Sequence, residues 1–240
     1  MRALTGEFLL KAWDAGTTEH NLDRALTMLC LGLPGNKREY FAELPLADRN
    51  SLLLQLRDLT FGPVLKGLTI CLHCATRMEF ALPVEAMLAQ FGHHASSETA
   101  EWQECGKQLR LRPVNTKDLL ASVEINDCSE ARKLLLRRCS NLSDEPSLEG
   151  SPAFLEAVLK KFDEVHGAAE LRCTIECPEC LANETLDLDI AAFLWLEVRH
   201  AAQRLMREIH VLADAYGWSE SSIVRMSPQR RNAYLEMLSA

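Results

Sequence analysis

Two short cysteine pairs, far apart in the chain, constrain its fold more than any other feature of the sequence. Cys71 and Cys74 form the first CxxC pair, and Cys177 and Cys180 form the second. Cysteines at this spacing can direct both sulfurs at one metal ion from a single tight turn, and four thiolates in a tetrahedron are a donor set that structural zinc prefers. The two pairs therefore predict one structural zinc ion (Zn²⁺) per chain, held by all four cysteines.

The residues around each pair alternate between apolar and polar, as short strands do. Strand-like runs flank the first pair at 68–70 and 77–82, and similar runs flank the second pair at 170–176 and 184–188. Each pair is thus expected at the tip of a β-hairpin, and two such hairpins around one zinc ion make a zinc ribbon. Because residues 75–176 separate the two halves, which is several times the usual spacing, we expect a ribbon that is split by an inserted subdomain.

Other interpretations of these cysteines compete with zinc. Two unrelated reduced pairs would need no metal, but the matching strand context of the pairs favours a shared site. A disulfide framework is disfavoured because the total of 9 cysteines is odd and the N-terminus lacks the apolar stretch of a secretion signal. A redox CxxC normally opens a helix after a strand, which neither pair does.

An iron–sulfur site is a sharper rival. Cys173, Cys177 and Cys180 have the spacing that radical-SAM enzymes use, but too few residues follow for the barrel of such enzymes. The other cysteines considered are predicted to be buried thiols: Cys30, Cys105, Cys128 and Cys139.

The composition excludes several classes of protein. Hydrophobic residues make up 48% and charged residues 25%, which is typical of a globular protein. The formal net charge of −8 disfavours a nucleic-acid partner, because phosphate binding needs a basic surface. No apolar run approaches the roughly 20 residues that span a bilayer. The expected location is the reducing cytoplasm.

Helical periodicity dominates the rest of the chain, so the predicted fold class is α+β and mostly helical. A helical N-terminal region is predicted at 1–66, the split ribbon at 67–82 and 170–188, and an inserted α/β subdomain at 83–169. A C-terminal helical arm is predicted at 189–240, with a long helix followed by short ones.

The long helix, predicted at 187–216, carries two apolar stripes. Such a helix is either enclosed by its own chain or docks on a partner. Aromatic and arginine side chains are the usual anchors of protein interfaces. The candidate partner-binding residues on the arm are Trp195, Trp218, Arg230, Arg231 and Tyr234.

Catalytic motifs are missing from the sequence. It contains no GxSxG, HExxH, Walker A or GxGxxG motif. Four thiolates around one metal leave no open coordination position for a reacting water, and closed sites of this kind are structural. The chain is therefore not expected to be an enzyme.

Several segments together carry a resemblance to a known family. They are 60–67 (TFGPVLKG), 78–83 (MEFALP), 177–180 (CPEC), 188–195 (LDIAAFLW), 215–220 (AYGWSE) and 226–238 (MSPQRRNAYLEML). The chain thereby resembles the T-even-phage-type baseplate hub assembly proteins, which are encoded beside contractile tails and phage-derived contractile injection systems. The resemblance covers both ends of the chain and both cysteine pairs, but little of the predicted subdomain.

This resemblance implies a non-catalytic role in building or completing the baseplate hub. The implied partners are baseplate hub proteins or other tail proteins, met in the bacterial cytoplasm or in the finished particle. Glycine often follows the second cysteine of each pair in that family, whereas Ala75 and Leu181 occupy those positions here. Two alternatives remain: a zinc-ribbon adaptor in a cellular complex, for example in transcription, and an iron–sulfur enzyme.

Overall fold

The computed structural model describes residues 1–92, 99–104, 106–142 and 152–239. The helices are α1 (Glu7–Gly16), α2 (Asn21–Gly32), α3 (Arg38–Glu43), α4 (Leu46–Phe61), α5 (Val84–Gly92), α6 (Thr116–Ser122), α7 (Cys128–Cys139), α8 (Pro152–His166), α9 (Ile190–Tyr216), α10 (Glu220–Val224) and α11 (Pro228–Ser239). The strands are β1 (Val64–Ile70), β2 (Arg77–Pro83), β3 (Ala100–Glu104), β4 (Lys107–Leu111), β5 (Leu171–Glu176) and β6 (Asn183–Leu188). The fold is therefore α+β and mostly helical, as predicted.

The strands form three separate antiparallel hairpins, each made of two consecutive strands. In the first hairpin, β1 and β2 pair from Val64 opposite Pro83 to Ile70 opposite Arg77. In the last hairpin, β5 and β6 pair in the same manner. Both of these hairpins end at a CxxC pair, so the predicted strand context of the cysteines is confirmed.

The larger hydrophobic core lies between the N-terminal helices and the first half of α9. Its fully buried side chains include Leu29 of α2, Leu53 of α4 and Val198 of α9. The predicted N-terminal region and the beginning of the predicted arm thus share one core. Arg57 reinforces this packing through two hydrogen bonds of 2.9 and 2.7 Å to the carboxylate of Glu197 on α9.

The 27 residues of α9 form the longest described helix, about 40 Å in length. It begins where the Asp189 carboxylate accepts hydrogen bonds from the amides of Ala191 and Ala192. It ends at Gly217, whose φ of 63° is the left-handed conformation that glycine adopts without strain. Residues of both apolar stripes of α9 are buried by the chain itself, among them Val198 and Ala202, so the structure favours the enclosed alternative for this helix.

Trp195 corrects the sequence-based prediction of a partner-binding residue. Its side chain is buried, and the guanidinium carbon of Arg24 lies 4.7 Å from the centroid of its ring. A Cβ atom added to Gly16 would lie 2.3 Å from the indole, so the end of α1 packs directly on the ring. Trp195 therefore belongs to the core of this chain.

A second, smaller core is formed by the middle of the chain. Leu109 and Leu111 of β4 pack with Leu136 of α7 and Val158 of α8. The residues at 108–113 alternate in the sequence as a single strand would, but the structure has the hairpin β3–β4 here. The pattern missed β3 because its five residues, AEWQE, contain a single large apolar side chain.

Polar contacts attach this second core to the larger one. Arg49 of α4 donates a hydrogen bond of 3.0 Å to the hydroxyl of Thr116, and the amide of Leu46 donates one of 3.0 Å to the carbonyl of Val114. Within the second core, the buried carboxylate of Asp118 pairs with Arg112 at 2.6 Å.

The predicted buried thiols differ in their exposure. Cys139 is buried, Cys30 is half-buried, and Cys128 is exposed because it opens α7 directly after the N-capping Asp127. The prediction was therefore wrong for Cys128. Cys105 lies outside the described residues.

A membrane span is not found in the part of the chain that the structure describes. No helix there has both the length and the hydropathy to cross a bilayer.

Candidate metal centre

Each cysteine pair lies in the same backbone turn. In the first hairpin, the amide of Cys71 donates a hydrogen bond of 2.9 Å to the carbonyl of Thr76, and the amide of Ala75 donates one of 2.9 Å back to the carbonyl of Cys71. The second hairpin repeats both bonds around Cys177, at 2.8 and 2.9 Å. The pairing of the flanking strands therefore continues into both turns and fixes the cysteines that they carry.

The four predicted ligands come together in space. Their sulfur atoms all lie within 4.8 Å of one another. Cys71 and Cys180 have sulfurs 3.6 Å apart, and so do Cys74 and Cys177. A tetrahedron with metal–sulfur bonds of about 2.3 Å has edges of about 3.8 Å. The cluster is therefore of the right size and donor type to hold one metal ion.

Burial makes the four thiols unequal. Cys71 and Cys177 are buried, whereas Cys74 and Cys180 face solvent. Burial raises the pKa of the Cys71 thiol to about 12. Hydrogen bonds donated by the hydroxyl and amide of Thr76 lower the pKa of Cys74 to about 6. Because metal ligation requires thiolates, Cys74 is better prepared for it than Cys71 before a cation is bound.

A buried carboxylate joins the two hairpins beside the sulfurs. Glu184 of β6 accepts a hydrogen bond of 2.8 Å from the amide of Leu72, which lies in the turn of the other hairpin. The same carboxylate oxygen lies 3.6 Å from the sulfur of Cys71. Glu184 therefore holds the first cysteine turn against the second strand pair.

Sequence reasoning missed Glu184, although a signal for it exists. In β6, alternation places Glu184 on the same face as Leu186 and Leu188. A carboxylate on the inward face of an amphipathic strand is buried only if a hydrogen-bond donor or a cation pairs with it. This pattern could have marked the residue as part of the site.

The residue after each second cysteine has an unusual backbone conformation. Ala75 has a φ of 59° and Leu181 a φ of 60°, and they are the only described non-glycine residues with positive φ. This is the left-handed region, which glycine occupies without penalty and other residues occupy at a cost. Each turn thus holds a residue with a Cβ atom at a position where glycine would carry no strain.

No protein-family model, curated protein or solved structure matches this chain. The chemistry of the cluster must therefore be inferred from its own atoms. Cys173, the third cysteine of the competing iron–sulfur motif, lies within β5 opposite Leu186. Among the described residues it is not a member of the cluster, which consists of Cys71, Cys74, Cys177 and Cys180.

The remaining predicted partner-binding residues lie near the end of α9. Trp218 stacks on Tyr216 with ring centroids 4.5 Å apart, and the ring of Tyr234 meets Trp218 edge-on at 4.8 Å. Arg230 is exposed, with its guanidinium carbon 5.8 Å from the Tyr234 ring. Trp218 and Tyr234 are half-buried, so this aromatic cluster attaches α11 to α9 and still reaches the surface.

Arg231 is a second correction to the predicted partner surface. Its side chain is buried, and it donates hydrogen bonds of 2.7 Å to the Glu208 carboxylate on α9 and 2.7 Å to the carbonyl of Met226. An arginine with these partners holds α11 in place. It is not available to a protein partner in this conformation.

Proposed function

We propose that this chain is a non-catalytic protein, stabilised by one zinc ion in a split zinc ribbon, that assembles or forms part of the baseplate hub of a phage-like contractile tail or injection system. The observation that carries the zinc assignment is the cluster of four cysteine sulfurs within 4.8 Å. The baseplate assignment rests on the resemblance of the flanking and terminal segments to the hub assembly family.

Zinc is the ion that this donor set suits best. Soft thiolates select zinc, copper(I) or iron–sulfur clusters, and four of them at tetrahedral spacing are typical of structural zinc. All four positions are filled by protein, so such an ion supplies stability and no open site for chemistry. By joining Cys74 to Cys177, it would close a loop that contains the whole second core, and its loss should affect the stability of the fold.

Elemental analysis of the purified protein tests the zinc assignment. We expect about one zinc ion per chain, and a colourless protein. Cys177→Ser should abolish metal binding, whereas Cys173→Ala, which removes a neighbouring thiol outside the cluster, should retain it. A brown protein whose colour depends on Cys173 would instead identify an iron–sulfur site.

The tail assignment is tested in the strain that encodes the protein. Deleting the gene should leave tails that lack complete baseplates in electron micrographs, and the wild-type gene should restore them. Cys177→Ser should fail to do so. Normal tails in the deletion strain, together with copurification of the protein with RNA polymerase, would support the cellular zinc-ribbon adaptor.

For the hub partner, we propose the surface around the aromatic cluster of the C-terminal arm. Trp218 and Tyr234 reach this surface, and Arg230 is exposed beside them. Arginine and aromatic side chains that reach the surface are typical anchors of protein interfaces.

Charge reversal tests this surface without disturbing the core. Arg230→Glu should prevent copurification with hub proteins and leave the melting temperature unchanged, because the side chain is exposed. Gln229→Glu, at the adjacent exposed position, adds a negative charge as a control and should bind normally. Normal binding by Arg230→Glu would place the hub contact elsewhere.

A further inference from the structure

The β1 edge of the first hairpin pairs with no other strand among the described residues. In an antiparallel pair, alternate residues direct their N–H and C=O groups towards the partner strand and away from it. The hydrogen bond between Cys71 and Thr76 fixes the phase of this alternation. The outward residues of β1 are accordingly Val64, Lys66, Leu68 and Ile70. No described residue forms a hydrogen bond with their outward groups.

The side chains on this edge are mostly apolar and exposed. Leu68 is 67% exposed and Ile70 is 56% exposed, and Val64 is exposed as well. Natural proteins usually protect a free edge with charged side chains, proline, a bulge or a covering element, because an open apolar edge pairs readily with another strand. On this edge only Lys66 is charged.

The other cysteine-tipped hairpin provides an internal comparison. When the two hairpins are aligned on their cysteines, the equivalent positions hold Glu170, Arg172, Thr174 and Glu176. This edge is polar throughout, and the carbonyl of Arg172 accepts a hydrogen bond of 3.3 Å from the side chain of Gln90. The apolar edge of the first hairpin is therefore not a requirement of the cysteine turn.

We propose that the free edge of β1 binds an extended segment of a partner protein, which adds to the hairpin as a third strand. The segment would carry apolar side chains in alternation, to cover Val64, Leu68 and Ile70, and an acidic side chain facing Lys66. Lys66 has no ion-pair partner among the described residues, so its charge is available for such a contact.

A second copy of this chain fits the edge less well than a different protein. Two chains that each carry a net charge of −8 repel one another. Two-fold pairing of β1 with itself about Gly67 would set Lys66 opposite Leu68 and give the lysine no acceptor. The edge is also distinct from the aromatic surface of the C-terminal arm, and a strand can add to it whether or not the partner is a tail protein.

Placing edge residues of the second hairpin in the first hairpin tests the proposal. The zinc-loaded full chain is titrated into a fluorescein-labelled peptide of alternating valine and threonine with a central glutamate, followed by fluorescence anisotropy. Leu68→Thr combined with Ile70→Glu places the residues of the second hairpin at two of the four outward positions of β1, and should weaken binding by at least about tenfold. Thr174→Lys, on the edge of the second hairpin, is the matched control and should bind normally.

Amide hydrogen exchange locates the added strand. In the free protein, the outward amides of Lys66, Leu68 and Ile70 should exchange fast, and saturating peptide should slow them by at least about tenfold. The same peptide with alternate amides N-methylated cannot pair with an edge and should not bind. If the double variant is not folded by circular dichroism, Leu68→Thr alone serves the comparison.

Three results would overturn the proposal. One is the absence of both binding and amide protection at millimolar peptide. Another is equal binding by the wild type and the edge variants, or by a peptide with lysine in place of glutamate. The third is protection of these amides without peptide that increases with the fraction of dimer measured by light scattering. This result would identify a second copy of the chain as the occupant.

Discussion

Each cysteine turn contains one residue with a left-handed backbone conformation, and this conformation predicts how glycine at that position changes the free energy of unfolding. A control substitution in the same kind of turn should change it in the opposite direction. Replacing Ala75 or Leu181 with glycine should stabilise the protein. Both positions have φ near 60°, and both side chains are exposed, with Leu181 at 69%. Glycine there relieves the backbone conformation and removes little packing.

The expected gain is the difference between two terms. A residue with a Cβ atom in the left-handed region costs about 1–2 kcal/mol. Glycine removes this cost, but it also destabilises the folded protein by about 0.4–1 kcal/mol, because it makes the unfolded chain more flexible. Each substitution should therefore raise the free energy of unfolding by about 0.8 kcal/mol, the midpoint of a range of about 0–1.6 kcal/mol, which at this chain length is a shift of about 2–3 °C in melting temperature.

Leu72 is a matched control in the first cysteine turn. It is 87% exposed, like Leu181 it is a leucine beside a ligand, and its φ is not positive. Leu72→Gly should therefore lower the free energy of unfolding by about 0.5–1 kcal/mol, through chain flexibility alone.

Urea unfolding of the zinc-loaded proteins, at one fixed zinc concentration, measures these differences. The reasoning requires opposite signs for Leu181→Gly and Leu72→Gly. If both glycine variants are destabilised equally, the conformation at Leu181 does not cost what its φ implies.

Three further predictions concern the core and the support of the site. Trp195→Ala should lower the free energy of unfolding by about 3–5 kcal/mol in urea, since the indole is buried; a variant as stable as the wild type would mean that the ring faces a partner after all. Glu184→Ala should cost about 1–3 kcal/mol because the Leu72 amide loses its acceptor, whereas Glu184→Gln retains an acceptor and should cost less; equal losses would show that the charge matters more than the hydrogen bond. Burial alone would raise the pKa of Asp118, but hydrogen bonds from Arg112 and other groups lower this pKa from 3.8 to about 2. The stability that the carboxylate contributes is therefore present above pH 4 and is lost as the pH falls towards 2. The difference in unfolding free energy between the wild type and Asp118→Asn should shrink over that interval, and a constant difference would contradict the assignment.

The cluster of four cysteines was predictable because its signals are local. Each CxxC pair fixes two sulfurs in one turn, and the alternation around it indicates a hairpin. That the two pairs meet followed from the chemistry of the donor set, since two thiolates alone do not complete a tetrahedral site. The contribution of Glu184 was harder to see, because its acceptor role depends on Leu72 in the other hairpin.

The partner surface was predicted less well, for a physical reason. An apolar stripe on a helix indicates that something covers it, but its periodicity does not say whether the cover is the same chain or another one. The cover of Trp195 comes from Gly16 and Arg24, which lie early in the sequence. Arg231 was misassigned in the same way, because its acceptor Glu208 lies on a different helix.

The order in which the cysteines are synthesised has a consequence for folding in the cell. A ribosome adds about 5–20 residues per second, so the second cysteine pair follows the first by about 5–20 seconds. During that interval Cys71 and Cys74 lack two of the four sulfurs of their cluster, and the N-terminal helices lack α9, which completes their core. The nascent chain therefore carries an exposed dithiol and an open apolar surface until both missing parts emerge together. Assembly of the four-sulfur cluster and closure of the core are thus late and nearly simultaneous events.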